Sequence, residues 1–398
     1  MITELRISNF YSFGDEQTVI QFYKGGKKPE NGYYQYKDKK ISLIQGFFGA
    51  NASGKTNVLR AIEALRHWIQ KGVVFEGSQY QVPNFALKNN KPVELGFDVM
   101  IGKELYIFDI AISNTNIINE SLKIKNLTTG KIKKLYIYDN GNVEIDMYLT
   151  GFGDILKFDT NMTQSLISKL VLLKFPQLQE LVKQFSSTHY NSVIDSTNFE
   201  QESNELIKTG LALLADNEIK GKVVKVLQLF DRSITDCLIT TSSAELPNMK
   251  KMEINFVHKD FYSHIPLGIE SRGTQELFAI TLNLITCLQN GGIVVYDEIN
   301  RYFHPHIQMA IIKLFLDPDL NKNNAQLFFS SHDHQILNEL ALDQIHIVEK
   351  EDGFSTVTKL SQFDNSATRD NITKKYSLGV FGGVPDIIDF KHGLRQVL

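Results

Sequence analysis

Gly49-Ala50-Asn51-Ala52-Ser53-Gly54-Lys55-Thr56 is the stretch from which the rest of the chain is best read. It matches the pattern G-x-x-x-x-G-K-[ST] in full. Upstream, Ile41-Ser42-Leu43-Ile44 reads as a short buried strand. Downstream, Val58, Ile62, Leu65 and Ile69 recur at steps of four and three, which is one face of a helix. Gly49 and Gly54 let the backbone curl so that consecutive N–H groups face inward. The helix N-terminus adds partial positive charge, and together these make a cradle for a polyphosphate. Lys55 is placed to reach the β- and γ-phosphates, and the Thr56 hydroxyl to ligate Mg²⁺. The expected nucleotide-binding set is Gly49, Asn51, Ser53, Gly54, Lys55, Thr56 and Asn57.

Ile293-Val294-Val295-Tyr296-Asp297-Glu298 follows Gly291-Gly292 and is a continuous apolar run ending in two carboxylates. Such runs read as parallel strands buried on both faces, and residues at their carboxyl ends fall in the ligand crevice of α/β sheets. Asp297 is placed to hold Mg²⁺, directly or through water, and Glu298 to polarise an attacking water as general base. Solvated acids closing a strand are the plain alternative, which the intact phosphate loop makes the weaker one.

Two further segments share this logic. Glu270-Ser271-Arg272-Gly273-Thr274-Gln275-Glu276 opens an apolar helix through Leu277, Phe278, Ile280, Leu284 and Leu288. Ser271 and Gly273 at a helix start offer a hydroxyl and free N–H groups to an anion; taken alone, Ser271 reads as an ordinary N-cap. Leu327-Phe328-Phe329-Ser330-Ser331-His332-Asp333 is an apolar strand ending in polar residues. A lone histidine is more often structural, but at the end of a third strand of this crevice His332 can hydrogen-bond a γ-phosphate.

Composition sets the bounds. The 398 residues are 42% apolar and 22% charged, ordinary values for one large α/β domain or two smaller ones. A net charge of −3 gives no general pull toward nucleic acid or an anionic membrane. DNA or RNA, as a candidate partner, would need a local basic patch. Cys237 and Cys287 lack CxxC spacing, so they point to neither a disulfide framework nor a zinc site but to two buried thiols in a reducing compartment. Met1–Arg6 is strand-like and charged, unlike a signal peptide. The longest apolar stretch, Leu277 to Leu288, is interrupted by Thr281, Asn283 and Thr286 and is too short to span a bilayer. The expectation is a soluble, cytoplasmic protein with no membrane partner.

Three segments are expected: 1–150, a lobe carrying the phosphate loop and an antiparallel β subdomain; 151–249, a helical insertion; and 250–398, a second lobe. In the first, Ile2–Ile7 and Thr18–Phe22 read as paired strands, and Tyr23–Lys40 as an exposed hairpin or loop. Val93–Val99, Leu105–Ile112, Glu120–Lys125 and Lys131–Tyr138 alternate as strands, the last two a hairpin around Thr128-Thr129-Gly130. Lys123, Lys125, Lys131 and Lys133 are expected on one face of that hairpin, a solvated face more often than a nucleic-acid contact. Leu166, Leu170, Leu173, Leu178, Leu181 and Val182, then Leu206, Leu211, Leu214, Val223, Val226, Leu227 and Phe230, follow helical spacing in the second segment.

The order of phosphate loop, Ser-x-Gly-Thr-Gln helix, Asp-Glu strand and Ser-His-Asp strand resembles the ABC-type ATPase head of RecF and SMC proteins. More closely, it resembles the bacterial AAA-family ATPases found in abortive-infection and other phage-defence operons. Ile7-Ser8-Asn9-Phe10-Tyr11-Ser12-Phe13, the loop itself, Asp297-Glu298-Ile299 with His304-Pro305, and the closing Tyr376 to Pro385 with its Gly-Gly-Val-Pro all carry the resemblance. It implies an α/β fold, an ABC-type P-loop ATPase head with a mixed sheet, an antiparallel β lobe and a short helical insertion. It also implies a dimer in which the loop of one subunit and the Ser-x-Gly element of the other sandwich each ATP with its Mg²⁺. Lys55, Thr56, Asp297, Glu298 and His332 would act in cis, and Ser271, Gly273 and Thr274 as the signature in trans. Asn300 departs from the family's usual Asp. No convincing glutamine loop is present; Gln79 and Gln81, ahead of Pro83-Asn84-Phe85, stand in about the right region. No Asn-Lys-x-Asp element for guanine is present, so ATP is the default.

The resemblance implies an ATP-hydrolysing sensor and scaffold of antiviral defence that controls a separate toxic effector, such as a nuclease or toxin. The stretch after His332 is shorter than the nuclease domain appended in the overcoming-lysogenization-defect proteins, hence the expectation of a separate polypeptide. A RecF-like DNA-repair or DNA-organising ATPase is the alternative, and a platform that rarely turns nucleotide over is the third reading.

Overall fold

Alternating side chains along a few central strands divide the molecule into two cores. The computed structural model describes residues 1–28, 30–71, 91–113, 116–146, 165–186, 188–190, 209–243, 250–259, 261–363, 372–384, 395 and 397. In chain order come strands β1 (Ile2–Ser8), β2 (Thr18–Gln21), β3 (Tyr23–Gly25), β4 (Tyr33–Tyr36), β5 (Lys39–Ser42) and β6 (Ile44–Phe48), then helix α1 (Lys55–Lys71). Strands β7 (Val93–Ile101), β8 (Glu104–Ser113), β9 (Asn116–Asn126), β10 (Ile132–Asp139) and β11 (Asn142–Ile145) follow. Helices α2 (Leu166–Leu172) and α3 (Gln179–Ser186), strand β12 (Thr188–Tyr190) and helix α4 (Asn217–Phe230) come next. The rest runs β13 (Ile234–Ser243), β14 (Lys250–His258), β15 (Ile265–Pro266), α5 (Arg272–Asn290), β16 (Ile293–Tyr296) and α6 (Pro305–Leu316). It closes with β17 (Gln326–Ser331), β18 (Ile345–Glu351), β19 (Phe354–Lys359) and α7 (Ile372–Ser377).

The central sheet has the order β12-β16-β17-β6-β18-β19. It is parallel through β18, and β19 returns antiparallel. Because strand side chains alternate between faces, Ile293, Val295, Phe328, Phe47 and Val348 enter one core. Val294, Tyr296, Leu327, Phe329, Phe48 and Ile347 enter the other. Both faces are covered, which is why these strands read as unbroken apolar runs.

The first core lies between this sheet and a seven-stranded antiparallel sheet of order β11-β10-β9-β8-β7-β1-β2, with α1 between them. Val58, Ile62, Leu65 and Ile69 are buried as their spacing predicts; Leu59, Ala61 and Trp68 are buried too, since a helix between two sheets is covered on more than one face. The second core packs α4, α5 and α6 on the opposite face.

Several expectations are corrected. The strand entering the loop is Ile44–Phe48, not Ile41–Ile44: the chain bends at Ser42, whose hydroxyl accepts from the Ile44 N–H at 3.2 Å, and Ile41 belongs to β5. Of the two readings of Tyr23–Lys40, the hairpin holds, in β4 and β5, and the plain loop does not. The segment carries β3, β4 and β5 as a small sheet of order β3-β5-β4, with Lys40 buried and ion-paired to Glu30 at 2.7 Å. The lysines do not share one face, because the register places Lys133 opposite Ile124 and Lys134 opposite Lys123. Lys123 and Lys125 therefore share a side with Ile132 and Lys134. Leu173 caps α2 and is exposed, Leu211, Leu214 and Phe230 are exposed, and Ile167, Phe175, Phe185, Leu213 and Val224 are buried residues the spacing missed. The stretch read as helical also contains β12, an edge strand of the central sheet. Leu206, Gln79, Gln81, Pro83, Asn84, Phe85 and Pro385 lie outside the described residues.

One buried carboxylate fixes how α2 meets the antiparallel sheet. Glu120 of β9 accepts from the Leu166 and Ile167 N–H groups at 2.9 and 2.8 Å and from the Tyr136 hydroxyl at 2.6 Å. It thereby satisfies two free donors of the helix start. Burial pushes its carboxyl up to about 7, against these three hydrogen bonds.

Candidate nucleotide site

Three parallel strands, β6, β16 and β17, end side by side, and every residue expected in cis stands at one of those ends. After β6 the backbone of 49–54 turns with Ala52 at φ +62° and Gly54 at φ +111°. A Cβ at Gly49 would overlap the Val348 carbonyl, and one at Gly54 the Ser355 hydroxyl. Both glycines are thus required by close approach, and Gly54 by its backbone angle as well. The Lys55 ammonium, buried under the turn, donates to the Gly49 and Ala50 carbonyls at 2.9 and 2.7 Å. Burial lowers its pKa to about 8, opposed by the charges of Asp297 and Glu298.

The Thr56 hydroxyl lies 3.0 and 3.2 Å from the two Asp297 carboxylate oxygens. Asp297 is buried, and burial raises its pKa against hydrogen bonds from Ser330 and Thr56. Ser330 binds this corner twice: its hydroxyl donates to Asp297 Oδ1 at 2.5 Å and accepts the Glu298 N–H at 2.7 Å. Glu298 has φ +51°, a left-handed conformation costing a non-glycine residue about 1–2 kcal/mol. The Ser330 bond and an Arg301 N–H to Glu298 carbonyl bond of 2.8 Å hold it there, turning its carboxylate toward His332. His332 Nε2 is 3.6 Å from Glu298 Oε1. Burial lowers the His332 pKa, and the Lys55 charge lowers it further. Asn300 serves the same strand end: its Oδ1 accepts from the Ser331 hydroxyl and the His332 N–H, each at 3.0 Å.

Ser271 and its neighbours stand elsewhere. Ser271 is the N-cap of α5, accepting the Thr274 N–H at 3.1 Å and sharing a 2.8 Å hydrogen bond with the Thr274 hydroxyl. Gly273 approaches the Tyr302 carbonyl closely enough that a Cβ would sit 3.2 Å from it. Arg272 and Arg301 flank the Tyr302 ring at 5.3 and 5.1 Å. Ser271 and Arg272 are exposed, and Arg272 donates to Gln275 Oε1 at 3.0 Å. The plain N-cap expectation and the anion-site expectation therefore describe the same exposed helix start.

Further contributors reach the loop from segments distant in sequence. The Ser355 hydroxyl donates to the Ser53 carbonyl and shares a hydrogen bond with the Ser12 hydroxyl, each at 2.6 Å, and Asn57 Nδ2 donates to Ser12 at 2.8 Å. Arg60 stacks over Tyr11 at 4.7 Å and lends positive charge to Asp297. From the carboxyl-terminal side, Gly383 packs against Gly49, donates its N–H to Glu349 at 3.1 Å, and accepts from the Tyr376 hydroxyl at 3.1 Å. Ser330 stood two residues before His332 on a strand already singled out, Asn57 was in the expected set, and Ser12, Tyr376 and Gly383 lay in segments that carried the family resemblance; Ser355 and Arg60 had no signal.

The residues fit a magnesium–triphosphate. The turn curls at Ala52 and Gly54, the Ser53 hydroxyl is buried without a partner, and Thr56 and Asp297 present hard oxygens side by side. Among the described residues no group of three or more His, Cys, Asp or Glu can cage a metal. That suits Mg²⁺, which binds through one or two protein oxygens and keeps phosphate and water for the rest.

The fold and this corner define an ABC-type P-loop ATPase head. Residues 45–338 match the family described as "AAA domain, putative AbiEii toxin, Type IV TA system", and the chain belongs to that family. Curated proteins gave no match. Among solved structures, an SMC head bound to the C-winged helix domain of ScpA aligns over 92% of this chain and 99% of its own, at 15% identity and TM-score 0.47. The SMC head domain from Thermotoga maritima aligns over 90% and 98%, at 14% identity and TM-score 0.41. An SMC head with an extended coiled coil, bound to the C-terminal domain of ScpA and derived from Pyrococcus furiosus, aligns over 90% and 95%, at 15% identity and TM-score 0.43. Among the described residues no helix is long and apolar enough to cross a membrane.

Proposed function

We propose that the protein hydrolyses ATP as a homodimer and serves, in the cytoplasm, as sensor and scaffold of an abortive-infection defence system, holding or releasing a separate toxic effector. The observation that carries the ATPase reading is the geometry at the strand ends: Lys55, Thr56, Asp297, Glu298, Ser330 and His332 converge on one corner, while the Ser271 helix start stays exposed and turned to other neighbours. A second anion-binding helix start has no use for a nucleotide already held by its own loop. It suits the nucleotide of a second copy.

In this reading the loop N–H groups and Lys55 hold the β- and γ-phosphates, and Thr56 and Asp297 would hold Mg²⁺, which would supply positive charge beside the transferred group. Glu298 takes the proton of the attacking water. His332, kept largely neutral by burial and by Lys55, donates a ring N–H toward the γ-phosphate. Ser271, Gly273 and Thr274 of the partner copy stabilise the same charge from the far side. ATP favours the closed dimer and hydrolysis the open one, because only the triphosphate is bound by both halves. The defence role is supported by the family to which the chain belongs.

Glu298→Gln is the direct test. It should leave ATP bound, accumulate dimer in size-exclusion chromatography and abolish turnover, whereas Lys55→Ala should lose binding. Turnover of Glu298→Gln at the parent rate would remove the base from this scheme. Protection of cells against phage by the chain with its neighbouring gene product, lost in Lys55→Ala, tests the defence role. ATP-dependent DNA affinity with steep salt dependence, without protection, would favour the RecF-like alternative.

A further inference from the structure

A buried hydrogen-bonded pair stands directly behind the Ser271 turn. His258, the last residue of β14, is 6% exposed, and its Nε2 lies 2.8 Å from Glu270 Oε1. Glu270 immediately precedes Ser271. Its backbone is held as firmly as its side chain: the N–H donates to the Leu267 carbonyl at 3.1 Å, and the carbonyl accepts from Gln275 Nε2 at 2.8 Å. A carboxylate only accepts, so Nε2 of His258 carries hydrogen and donates. The other ring nitrogen is 2.7 Å from the Ser233 hydroxyl, and that hydroxyl is 2.7 Å from Asp231 Oδ1 at the end of α4. Lys259 N–H to Ser233 carbonyl, at 2.8 Å, ties the same two segments through the backbone. The chain Asp231–Ser233–His258–Glu270 thus anchors the residue before the signature to the turn that follows α4.

We propose that His258, acting through Glu270, is a positioning residue for the Ser271 turn, holding it in the register needed to meet the nucleotide of a second copy. The inference rests on the trans-signature reading above and deepens it. The bond is charge-assisted and removed from water, the setting in which a hydrogen bond fixes geometry most strongly. Nothing in the network touches the phosphate loop of its own chain. Loss of His258 should therefore leave nucleotide binding by the same chain intact and damage only the site completed by its partner.

The experiment pairs defective chains. His258→Leu should lower turnover at saturating ATP about tenfold or more, with the ATP affinity of its own Lys55 site unchanged. His258→Gln, whose amide nitrogen can occupy the Nε2 position, should restore most of the rate. Mixed with Lys55→Ala, which lacks a working loop but keeps a sound signature, His258→Leu should recover about a quarter of the parent rate, because random mixing makes half the dimers hybrid with one whole site each. Ser271→Arg mixed with Lys55→Ala is the control. If Ser271→Arg complements and His258→Leu does not, His258 acts within its own chain and the proposal fails while the trans signature stands. If Ser271→Arg itself fails to complement, the trans-signature reading falls and the proposal with it. A rate for His258→Gln as low as for His258→Leu, with both melting like the parent, would also overturn the donor role.

Discussion

Nucleotide affinity should decline with a single proton as pH rises above about 8. Without nucleotide, Lys55 is buried under the phosphate loop, its charge satisfied by two carbonyls and the more distant carboxylates, and burial lowers its pKa to about 8. A triphosphate over the loop binds the ammonium form, so the complex forms from the protonated fraction. Below pH 8 that fraction is near unity and affinity is flat. Above it, affinity falls about tenfold per pH unit, making the protein about tenfold weaker for ATP at pH 9 than at pH 7. Near pH 8 each binding event should take up about half a proton. The amino terminus and the two thiols titrate outside this window: burial pushes the Met1 amino group to about 5 and the thiols of Cys237 and Cys287 to about 12. Calorimetric titration of hydrolysis-defective Glu298→Gln with ATP, in buffers of different ionisation enthalpy from pH 7 to 9.5, measures both quantities. Lys55→Arg stays charged throughout and should show a flat profile at whatever affinity it retains. Constant affinity for the parent over this range, or the same decline in Lys55→Arg, would refute the assignment.

Gly54→Ala should abolish the thermal shift given by ATP. Ser355→Ala in the same chain should not restore it, because φ +111° strains any side chain even when the overlapping hydroxyl is gone. Glu120 has a folded-state pKa of about 7, above its ordinary 4.5, so its contribution to stability is full below about 4.5 and lost as pH rises through about 7. The span is about 3 kcal/mol, and chemical denaturation of Glu120→Gln should lack that slope; parallel parent and variant curves would remove Glu120 as its source. Asn300→Asp should keep both hydrogen bonds to Ser331 and His332 and add negative charge, raising the His332 pKa in an NMR titration; an unmoved His332 would mean that the ring does not sense this strand end.

Legibility followed the range of the interactions. The loop octet, the Ile293–Glu298 strand and the start of α5 are local patterns: tight turns need glycine, a strand covered on both faces needs apolar residues, a helix start needs a capping hydroxyl. The strand into the loop was misplaced because Gln45 and Gly46 break its apolar run. Gln45 is nonetheless buried, bonded to His346 at 2.6 Å, and a Cβ at Gly46 would press on Phe48, Phe329 and Leu340. Such polar and minimal residues are chosen by partners hundreds of positions away. The Tyr23–Lys40 segment looked like an exposed loop because its sheet is covered by lysines over tyrosine rings, Lys24 on Tyr33 and Lys39 on Tyr23 at 4.0 and 4.4 Å. Ser355 left no local trace at all, and Ser12 and Gly383 stood out only through the family resemblance of their segments.

Those long-range contacts say something about coupling. The loop is touched by Ser12 from the turn after β1, by Ser355 from β19, by Gly383 from the carboxyl-terminal turn, and through Thr56 by Asp297 at the end of β16. Phe13 and the helix α1 that follows the loop belong to one core, and Tyr376 and Phe381 to the other. A ligand that draws Lys55 off the Gly49 and Ala50 carbonyls therefore changes the loop at a point gripped from both cores. Packed interiors move between discrete arrangements and resist continuous deformation, so that change is transmitted as small rigid shifts of the elements around the loop. The Ser271 turn is reached by a different route: α5 packs behind the β16 strand, and Glu276 accepts from the Tyr296 hydroxyl one residue before Asp297. Metal-side and signature-side residues are thus joined through a single strand end, a connection by which occupation of the loop can be felt at the face a second copy would meet.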